Sequence, residues 1–354
     1  MAAGAGGYGD AVRSDELPLA RSAVDRAATS REPGGLARAL ADPGTRVVAV
    51  RDGAVLVDEP GGALVELAVG DLAHGGDEDW LLLGEEQGRT VLARRFAPVT
   101  APPARGSSSD VAVHRPPAGA GASVPPAGVP GRPDVPDAAS TGATWASLRV
   151  VGATLSPRDA GLATTAVALD QWHQRHPRCP RCGAPTDVVQ AGWVRRCRED
   201  GSEHYPRTDP AVIMAVVDDR DRILLGHAAA WPEGRYSTLA GFVESGESLE
   251  SAVRREVAEE TGVRIGDVEY RGSQPWPFPA SLMVGFVAHA LTTEVQVDGT
   301  EVTHARWFTR QELRDAVVAG QVVAPGRTSI ARALVEDWLG DRLPEPADPA
   351  LAWR

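Results

Sequence analysis

The sequence is poor in cysteine and contains no long apolar run. Only three cysteines occur among its 354 residues. An odd number of closely spaced cysteines does not fit a disulfide framework and indicates a metal site or free thiols in a reducing compartment. No run of about 18 apolar residues is present to span a bilayer, and the N-terminal residues lack the pattern of a secretory signal. We therefore expect a cytoplasmic protein with no membrane partner.

Positive charge is also scarce. Lys and Arg number 36 against 48 Asp and Glu, which gives a net charge of −12. This balance argues against broad binding of duplex nucleic acid, which requires many phosphates to be neutralised. A small anionic substrate would need local positive charge or a bound cation. The chain is long enough for two or three domains with separate cores.

Residues 1–96 have the pattern of a small, mostly β domain. Val-rich runs within residues 45–57 flank Asp52 and Gly53, a dipeptide that favours the tight turn of a hairpin. Residues 62–69 and 79–96 continue the alternation of strands and turns. Residues 97–143 are mainly Pro, Ala, Gly and Ser, which predicts a disordered linker or insertion. A Pro-rich ligand segment is the alternative.

The rest of the chain divides into four predicted parts. A helix-forming pattern marks residues 144–176 as the helical end of the N-terminal region. Paired strands are predicted at residues 211–217 and 222–225, with a turn between them. The predicted boundaries are a cysteine-containing segment at 177–208, an α/β domain at 209–342 and a tail at 343–354.

A helix rich in carboxylates is predicted from Ser248 to Thr261. Ser248 is a suitable N-cap, and Gly262 suits the left-handed position that ends a helix. The buried stripe is formed by residues spaced four apart: Leu249, Val253 and Val257.

Three glutamates, Glu256, Glu259 and Glu260, share one face of this helix because they are spaced i, i+3 and i+4. Like charges at this spacing repel unless a cation lies among them, and oxygen ligands suit Mg²⁺ or Mn²⁺. A solvated acidic face on a surface helix is the alternative.

The segment from Gly241 to Val263 is identical at every fixed position to the Nudix box, Gly-x5-Glu-x7-Arg-Glu-U-x-Glu-Glu-x-Gly-U, where U is a bulky aliphatic residue. The resemblance implies an α+β fold, in which an α/β/α sandwich surrounds a mixed sheet. It also implies hydrolysis of a nucleoside diphosphate linked to another moiety, with metal ions neutralising the pyrophosphate oxygens and positioning water.

The resemblance also implies roles for individual residues. The metal ligands would be Glu256, Glu260, Glu301 and the carbonyl oxygen of Ala240. Glu259 would bridge the metals or act on water, Arg255 would orient the glutamates, and which glutamate acts as the base is left open.

A Pro-aromatic segment, residues 273–281 (SQPWPFPAS), follows the box. Trp276 and Phe278 could stack on a base, or the segment could be a rigid core loop. At this position it resembles the NADH pyrophosphatase branch of the family. That resemblance implies cleavage of NAD(H) into AMP and a nicotinamide mononucleotide by a homodimer. The implied substrate contacts are Arg149, Tyr205, Gln274, Pro275, Trp276, Pro277, Phe278, Pro279, Ala280, Ser281 and Ala331.

The cysteines have the spacing of a zinc knuckle. Cys179 and Cys182 are followed by Gly183, and Cys197 lies further along the chain. The resemblance to this branch, whose members often carry a four-cysteine zinc ribbon, implies a fourth cysteine at the position occupied by Asp200. A closed structural zinc site requires four ligands. We expect His204 rather than Asp200 to complete the site, because imidazole suits a thiolate-rich zinc site; a ribbon without metal is the alternative.

The leading hypothesis is a metal-dependent NAD(+)/NADH diphosphatase with a dinucleotide substrate. One alternative is removal of NAD caps from RNA 5′ ends by the same chemistry. Another is a regulatory zinc-ribbon protein whose Nudix domain only senses a dinucleotide.

Overall fold

A computed structural model describes residues 17–58, 62–72, 75–96 and 142–345. Most of the predicted linker, residues 97–141, lies outside the described residues, as do residues 1–16 and residues 346–354 of the predicted tail. No helix in the described part of the chain is long and apolar enough to cross a membrane.

The strands of the N-terminal sheet are β1 (Arg46–Arg51), β2 (Ala54–Asp58), β3 (Glu66–Ala68), β4 (Trp80–Glu86), β5 (Arg89–Arg95) and β6 (Ala143–Ser147). Their order is β4-β5-β1-β2-β6, and β3 also pairs with β1. The predicted hairpin is present: β1 and β2 are antiparallel, and Asp52 and Gly53 both have positive φ in the turn. Among these strands, only β1 and β5 are parallel to each other.

Helices cover both faces of this sheet. Helix α1 (Gly35–Ala41) packs on one face. Helix α3 (Pro157–Arg175), which the apolar spacing predicts, packs on the other, after the short α2 (Leu148–Val151). Strand β6 is not predicted by the sequence. It begins at Ala143, the last residue of the Pro-rich stretch. Antiparallel hydrogen bonding to β2 holds this segment as a strand.

A small three-stranded sheet carries the cysteines between the two larger sheets. It consists of β7 (Thr186–Val189), β8 (Val194–Cys197) and β9 (Glu203–His204). It is fastened to α3 through buried Arg195, whose guanidinium donates to His173 Nδ1 at 2.9 Å. The other ring nitrogen, Nε2, donates to the carbonyl of Gly192 at 2.8 Å.

The C-terminal sheet is mixed, as the Nudix resemblance implies. Its strands are β10 (Asp209–Val217), β11 (Ile223–Ala228), β12 (Leu239–Phe242), β13 (Ile265–Trp276), β14 (Ser281–Ala290) and β15 (Val302–Phe308). Their order is β13-β14-β10-β11-β15, and β12 also pairs with β10. Strands β10 and β14 are parallel, and the other pairs are antiparallel.

This sheet lies between two layers of helix because side chains alternate along β10. Val212 and Met214 face α4 (Leu249–Thr261), which we call the box helix. Ala211 and Ile213 face α5 (Arg310–Val318) and α6 (Ile330–Leu339). The α/β/α sandwich is therefore present.

The two larger sheets have the same topology. Each has a central strand that pairs parallel with one neighbour and antiparallel with two others, and the five-strand paths follow the same sequence order. One of their connections differs in its secondary structure. Between β12 and β13, residues 243–264 contain the box helix, whereas between β3 and β4, residues 69–79 contain only two short 3-10 turns in their described part. The N-terminal sheet therefore has no counterpart of the box helix in this connection.

Candidate active site

The box helix begins and ends as its sequence predicts. The Ser248 hydroxyl accepts from the N–H of Ser251 at 3.2 Å, and Gly262 ends the helix with φ 71°. Val253 and Val257 are fully buried. This packing directs the opposite face of the helix, with its glutamates, into a cleft of about 560 Å³. We call it the carboxylate cleft, and its lining residues are Phe242, Glu244, Arg255, Glu256, Glu259, Glu260, Asp298 and Glu301.

Arg255 ties the glutamates of the box together. Its guanidinium donates to both carboxylate oxygens of Glu247 at 2.9 Å. It also donates to Glu256 at 2.9 Å and to Glu259 at 3.0 Å, and to the carbonyl of Phe242. The bonds to Glu247 raise the pKa of Arg255 and lower the pKa of Glu247. Arg255 therefore stays charged and fixes the loop before the helix as well as the carboxylates on it.

Glu260 is a deeply buried carboxylate of the cleft, with 5% of the residue exposed. Burial raises its pKa well above the ordinary value, and the negative charges of Glu256 and Glu301 raise it further. Its Oε2 atom has no hydrogen-bond partner among the described residues. A buried oxygen of this kind is costly unless something binds it.

Glu256 is buried beside it, and burial raises its pKa as well, against the opposing effect of Arg255. Glycine at position 241 makes room for this carboxylate. A Cβ atom at Gly241 would lie 1.8 Å from the carboxyl carbon of Glu256. Ala240 precedes it in β12, opposite Ile213 of β10. The fixed glycine of the box thus has a steric cause.

Glu301 reaches the cleft from a loop that is bound to the end of the box helix. Asp298 shapes this loop by accepting from the N–H groups of Glu301 at 2.8 Å and Val302 at 2.9 Å. Burial opposes ionisation of Asp298, but hydrogen bonds from the Thr300 hydroxyl and these amides outweigh it and lower its pKa to about 2. Asp298 and Glu244 line the cleft without having been predicted, since neither belongs to the fixed positions of the box.

The donor set of the cleft fits a hard divalent cation. Several carboxylates converge, one buried oxygen lacks a partner among the described residues, and the single arginine does not balance their charge. Mg²⁺ and Mn²⁺ prefer oxygen ligands of this kind. Glu256, Glu260 and Glu301 are thus brought together, whereas Glu259 is at the rim with 62% of its side chain exposed.

The Pro-aromatic segment lies at the same end of the sheet as the cleft. Ser281, which begins β14, pairs with Asp209 at the start of β10, and Phe242, which ends β12, pairs with Ala211. Strands β14 and β12 flank β10, so they are roughly 10 Å apart. Pro275 and Trp276 belong to β13, residues 277–280 form the turn, and the Ala280 carbonyl accepts from Asp209 N–H at 2.8 Å.

The side chain of Gln274 is not available for the substrate contact that the sequence predicts. Its side chain is fully buried, its oxygen accepts from the N–H of Leu19 at 3.2 Å, and its amide nitrogen donates to the carbonyl of Thr328 at 3.0 Å. Because both polar atoms are engaged by the backbone, we correct its role from a substrate contact to a clamp between distant parts of the chain.

The remaining predicted contacts lie in different places. The Arg149 guanidinium carbon is 4.1 Å from the ring centroid of Phe278, so Arg149 does adjoin the Pro-aromatic segment. Tyr205 is exposed, and its hydroxyl donates to Glu203 at 3.1 Å. Ala331 packs in the core on the α5 and α6 face of the sheet, opposite the box helix, and its N–H donates to the hydroxyl of Ser329. The structure does not bring Ala331 to the carboxylates.

The cysteine cluster is formed by Cys179, Cys182, Cys197 and Asp200. One ligand atom from each lies within 4.8 Å of all the others, and the Sγ atoms of Cys182 and Cys197 are 3.5 Å apart. Three sulfurs and one carboxylate oxygen are a suitable donor set for a structural zinc ion.

The preference for His204 as the fourth ligand is therefore corrected. Asp200 lies in the turn between β8 and β9, which Gly201 closes by donating to the carbonyl of Cys197. His204 lies on β9, outside the cluster, and its Nε2 is 3.1 Å from the hydroxyl of Ser202. The tight turn brings Asp200, which is closer to Cys197 in the sequence, to the sulfurs, although the imidazole of His204 would suit zinc better.

Three family matches cover most of the described chain. Residues 207–326 match the NUDIX domain, and residues 174–205 match the NADH pyrophosphatase zinc ribbon domain. Residues 44–172 match the NADH pyrophosphatase-like rudimentary NUDIX domain. The last match agrees with the shared topology of the two larger sheets, which the sequence patterns did not reveal.

Two named relatives are similar to part of this chain. The chain is 45% identical over 217 residues to NAD-capped RNA hydrolase NudC of Mycobacterium bovis, covering 58% of this chain and 67% of that protein. It is 41% identical over 197 residues to NAD-capped RNA hydrolase NUDT12 of Homo sapiens, covering 52% and 43%. A NUDIX hydrolase structure from Nitrosomonas europaea is similar at 23% identity and a TM-score of 0.35, covering 47% of this chain and 94% of that one. The chain belongs to the Nudix hydrolase family, in the branch that carries the NADH pyrophosphatase zinc ribbon.

Proposed function

We propose that the protein hydrolyses the pyrophosphate bond of NAD(H), giving AMP and nicotinamide mononucleotide, with Mg²⁺ or Mn²⁺ in the carboxylate cleft. The observation that carries the proposal is the buried, unpartnered Oε2 of Glu260 among converging carboxylates. The matches to NADH pyrophosphatase domains support the choice of dinucleotide.

The proposed role of each residue follows from its burial and its hydrogen bonds. Glu256, Glu260, Glu301 and the carbonyl of Ala240 would hold the cation, which supplies charge neutralisation for the pyrophosphate. Arg255 holds Glu256 and Glu259 in place through its hydrogen bonds. Glu259, exposed at the rim, would accept a proton from an attacking water in this proposal.

The test is product analysis with NADH, NAD⁺, ADP-ribose and diadenosine polyphosphates, with and without divalent metal. We expect AMP and the mononucleotide from NADH or NAD⁺ only when metal is present. Binding of NADH without formation of AMP would instead support a dinucleotide sensor.

A second candidate is removal of NAD caps from RNA, which the names of both relatives favour. The net charge of −12 argues against extensive contacts with RNA phosphates. Cleavage of free NADH and of capped RNA should be compared at rising salt. A steep loss with capped RNA alone would show that the RNA body is bound.

The cysteine cluster is proposed to hold one structural zinc ion per chain, with Asp200 as the fourth ligand. Zinc content per chain should fall in Asp200→Ala and remain near one in His204→Ala. The reverse result would return the ligand role to His204. The homodimer and the cytoplasmic location stay predictions, and light scattering of the purified protein tests the former.

A further inference from the structure

The Pro-aromatic segment packs against the core of the other domain. Phe278 packs against the apolar cluster between the N-terminal sheet and α3. Trp276 contacts that cluster and also the cluster beneath α6. Their two rings meet edge to face with centroids 5.0 Å apart. The aromatic side chains that follow the Nudix box are therefore seated partly on the N-terminal domain.

Arg149 of α2, in the N-terminal domain, places its guanidinium group over these two rings. Its guanidinium carbon lies 4.1 Å from the centroid of Phe278 and 5.4 Å from that of Trp276. A guanidinium at this distance is attracted by the negative face of an aromatic ring. The stack restricts the orientation of Phe278, which has no hydrogen-bonding group of its own to fix it.

The position of Arg149 is set in turn by the hairpin of the N-terminal sheet. The N–H of Leu148 donates to the carbonyl of Gly53 at 3.1 Å. Gly53 also adjoins Phe278, since a Cβ atom there would lie 3.7 Å from the ring. The hairpin turn thus contacts both α2 and the Phe278 ring. At the other end of the Pro-aromatic segment, the side chain of Gln274 is hydrogen-bonded to the backbone of Leu19 and of Thr328.

We infer that the N-terminal domain positions the substrate-recognition rings, with Arg149 as a positioning residue that acts through Phe278. This inference rests on the proposed function, because it assumes that Phe278 and Trp276 contact the dinucleotide. A domain without the box helix then contributes to specificity by holding rings that belong to the neighbouring domain.

The first test is steady-state kinetics of Arg149→Ala with NADH. Loss of ring orientation weakens binding of ground state and transition state alike, so KM should rise about tenfold while kcat changes less than twofold. Arg51→Ala is the matched control, because Arg51 stacks on Trp145 at 4.2 Å in the same domain. It should leave KM unchanged, and equal effects of the two variants would overturn the inference.

The second test is a double-mutant cycle with Phe278→Leu. If Arg149 acts through the ring, Arg149→Ala should have no further effect on KM in the Phe278→Leu background. Additive effects would show that Arg149 contacts the substrate directly and would overturn the positioning role. Arg149→Lys offers the same cycle should the alanine variant fold poorly, since lysine keeps the charge but lacks the planar group that stacks.

Failure of this inference is distinguishable from failure of the proposed function. If the wild-type protein forms no AMP from NADH, the proposed function fails. If the wild-type protein is active and the cycle is additive, only the positioning role fails.

Discussion

The two larger sheets share a strand order but differ in the connection that follows the third strand. In the C-terminal sheet this connection holds the box helix with its glutamates, and in the N-terminal sheet it is half as long and has only 3-10 turns in its described part. The fold alone therefore does not confer the chemistry. Residues 243–264, together with the loop that carries Glu301, account for the carboxylates of the cleft.

One arginine from each domain shows a related difference. Arg95 of the N-terminal sheet forms a salt bridge with Asp170 of α3 at 2.9 Å, and both side chains are buried. Arg255 of the box helix is more exposed and is shared by three glutamates. The first arrangement binds a helix to a sheet, whereas the second holds several carboxylates near one another in an open cleft.

The largest effect should come from Glu260→Gln. The amide cannot replace the buried carboxylate as a cation ligand, so kcat should fall about a thousandfold, which corresponds to about 4 kcal/mol. Product formation from NADH with Mg²⁺ or Mn²⁺ measures it. The control is Glu250→Gln, an exposed position in the first turn of the same helix. Wild-type turnover in Glu260→Gln would contradict the assignment of the cleft.

Arg95→Ala should show the contrasting behaviour of the N-terminal sheet. It removes the Arg95 guanidinium from its salt bridge with the buried carboxylate of Asp170, which should lower the free energy of unfolding by about 3 kcal/mol. Urea denaturation measures this change, and kcat/KM of the folded protein should stay the same. Arg38→Ala removes an exposed bridge to Glu32 of similar length and should have little effect. Equal losses in the two variants would contradict the importance of burial.

Gly241→Ala tests the close approach of strand and glutamate. The added methyl would overlap the Glu256 carboxylate and displace it, so kcat should fall about 30-fold, equivalent to about 2 kcal/mol. Gly70→Ala is the control. Gly70 lies just beyond β3, the strand that corresponds to β12 in the N-terminal sheet, and an added Cβ there would have no atom within 4 Å. If both variants keep wild-type kcat, the steric argument is wrong.

Gln274→Leu should have the smallest effect. It leaves the buried N–H of Leu19 and the carbonyl of Thr328 without their bonds to the side chain, which should cost about 1.5 kcal/mol of unfolding free energy. Chemical denaturation measures it against Gln311→Leu, which removes an exposed bond to Asp315. A loss no larger than that of the exposed control would contradict the clamp.

The sequence was most informative where its signals are local. The hairpin at Asp52-Gly53 and the caps at Ser248 and Gly262 were predicted because turns and helix ends depend on the conformations that a few adjacent residues allow. The fixed spacing of the Nudix box similarly placed Glu256 and Glu260 on one helix face. The assignment to the family followed from the same residues.

The sequence was least informative where distant segments meet. Strand β6 forms because β2 is available to pair with it, and the relation between the two large sheets appears only in their pairing. Gln274 matched a substrate motif but is engaged by Leu19 and Thr328, which are remote in the sequence. Local patterns carry no information about such partners.

The sequence by itself determined the reaction class, because the box glutamates and the arginine that orients them lie within one loop and helix. Only the tertiary structure decided that Asp298 shapes the loop of Glu301, that Asp200 rather than His204 joins the cysteines, and that Arg149 covers Phe278. Helix periodicity fixes neighbours three or four residues apart. The packing of sheets and turns determines which side chains meet when the sequence pattern allows several candidates for the same contact.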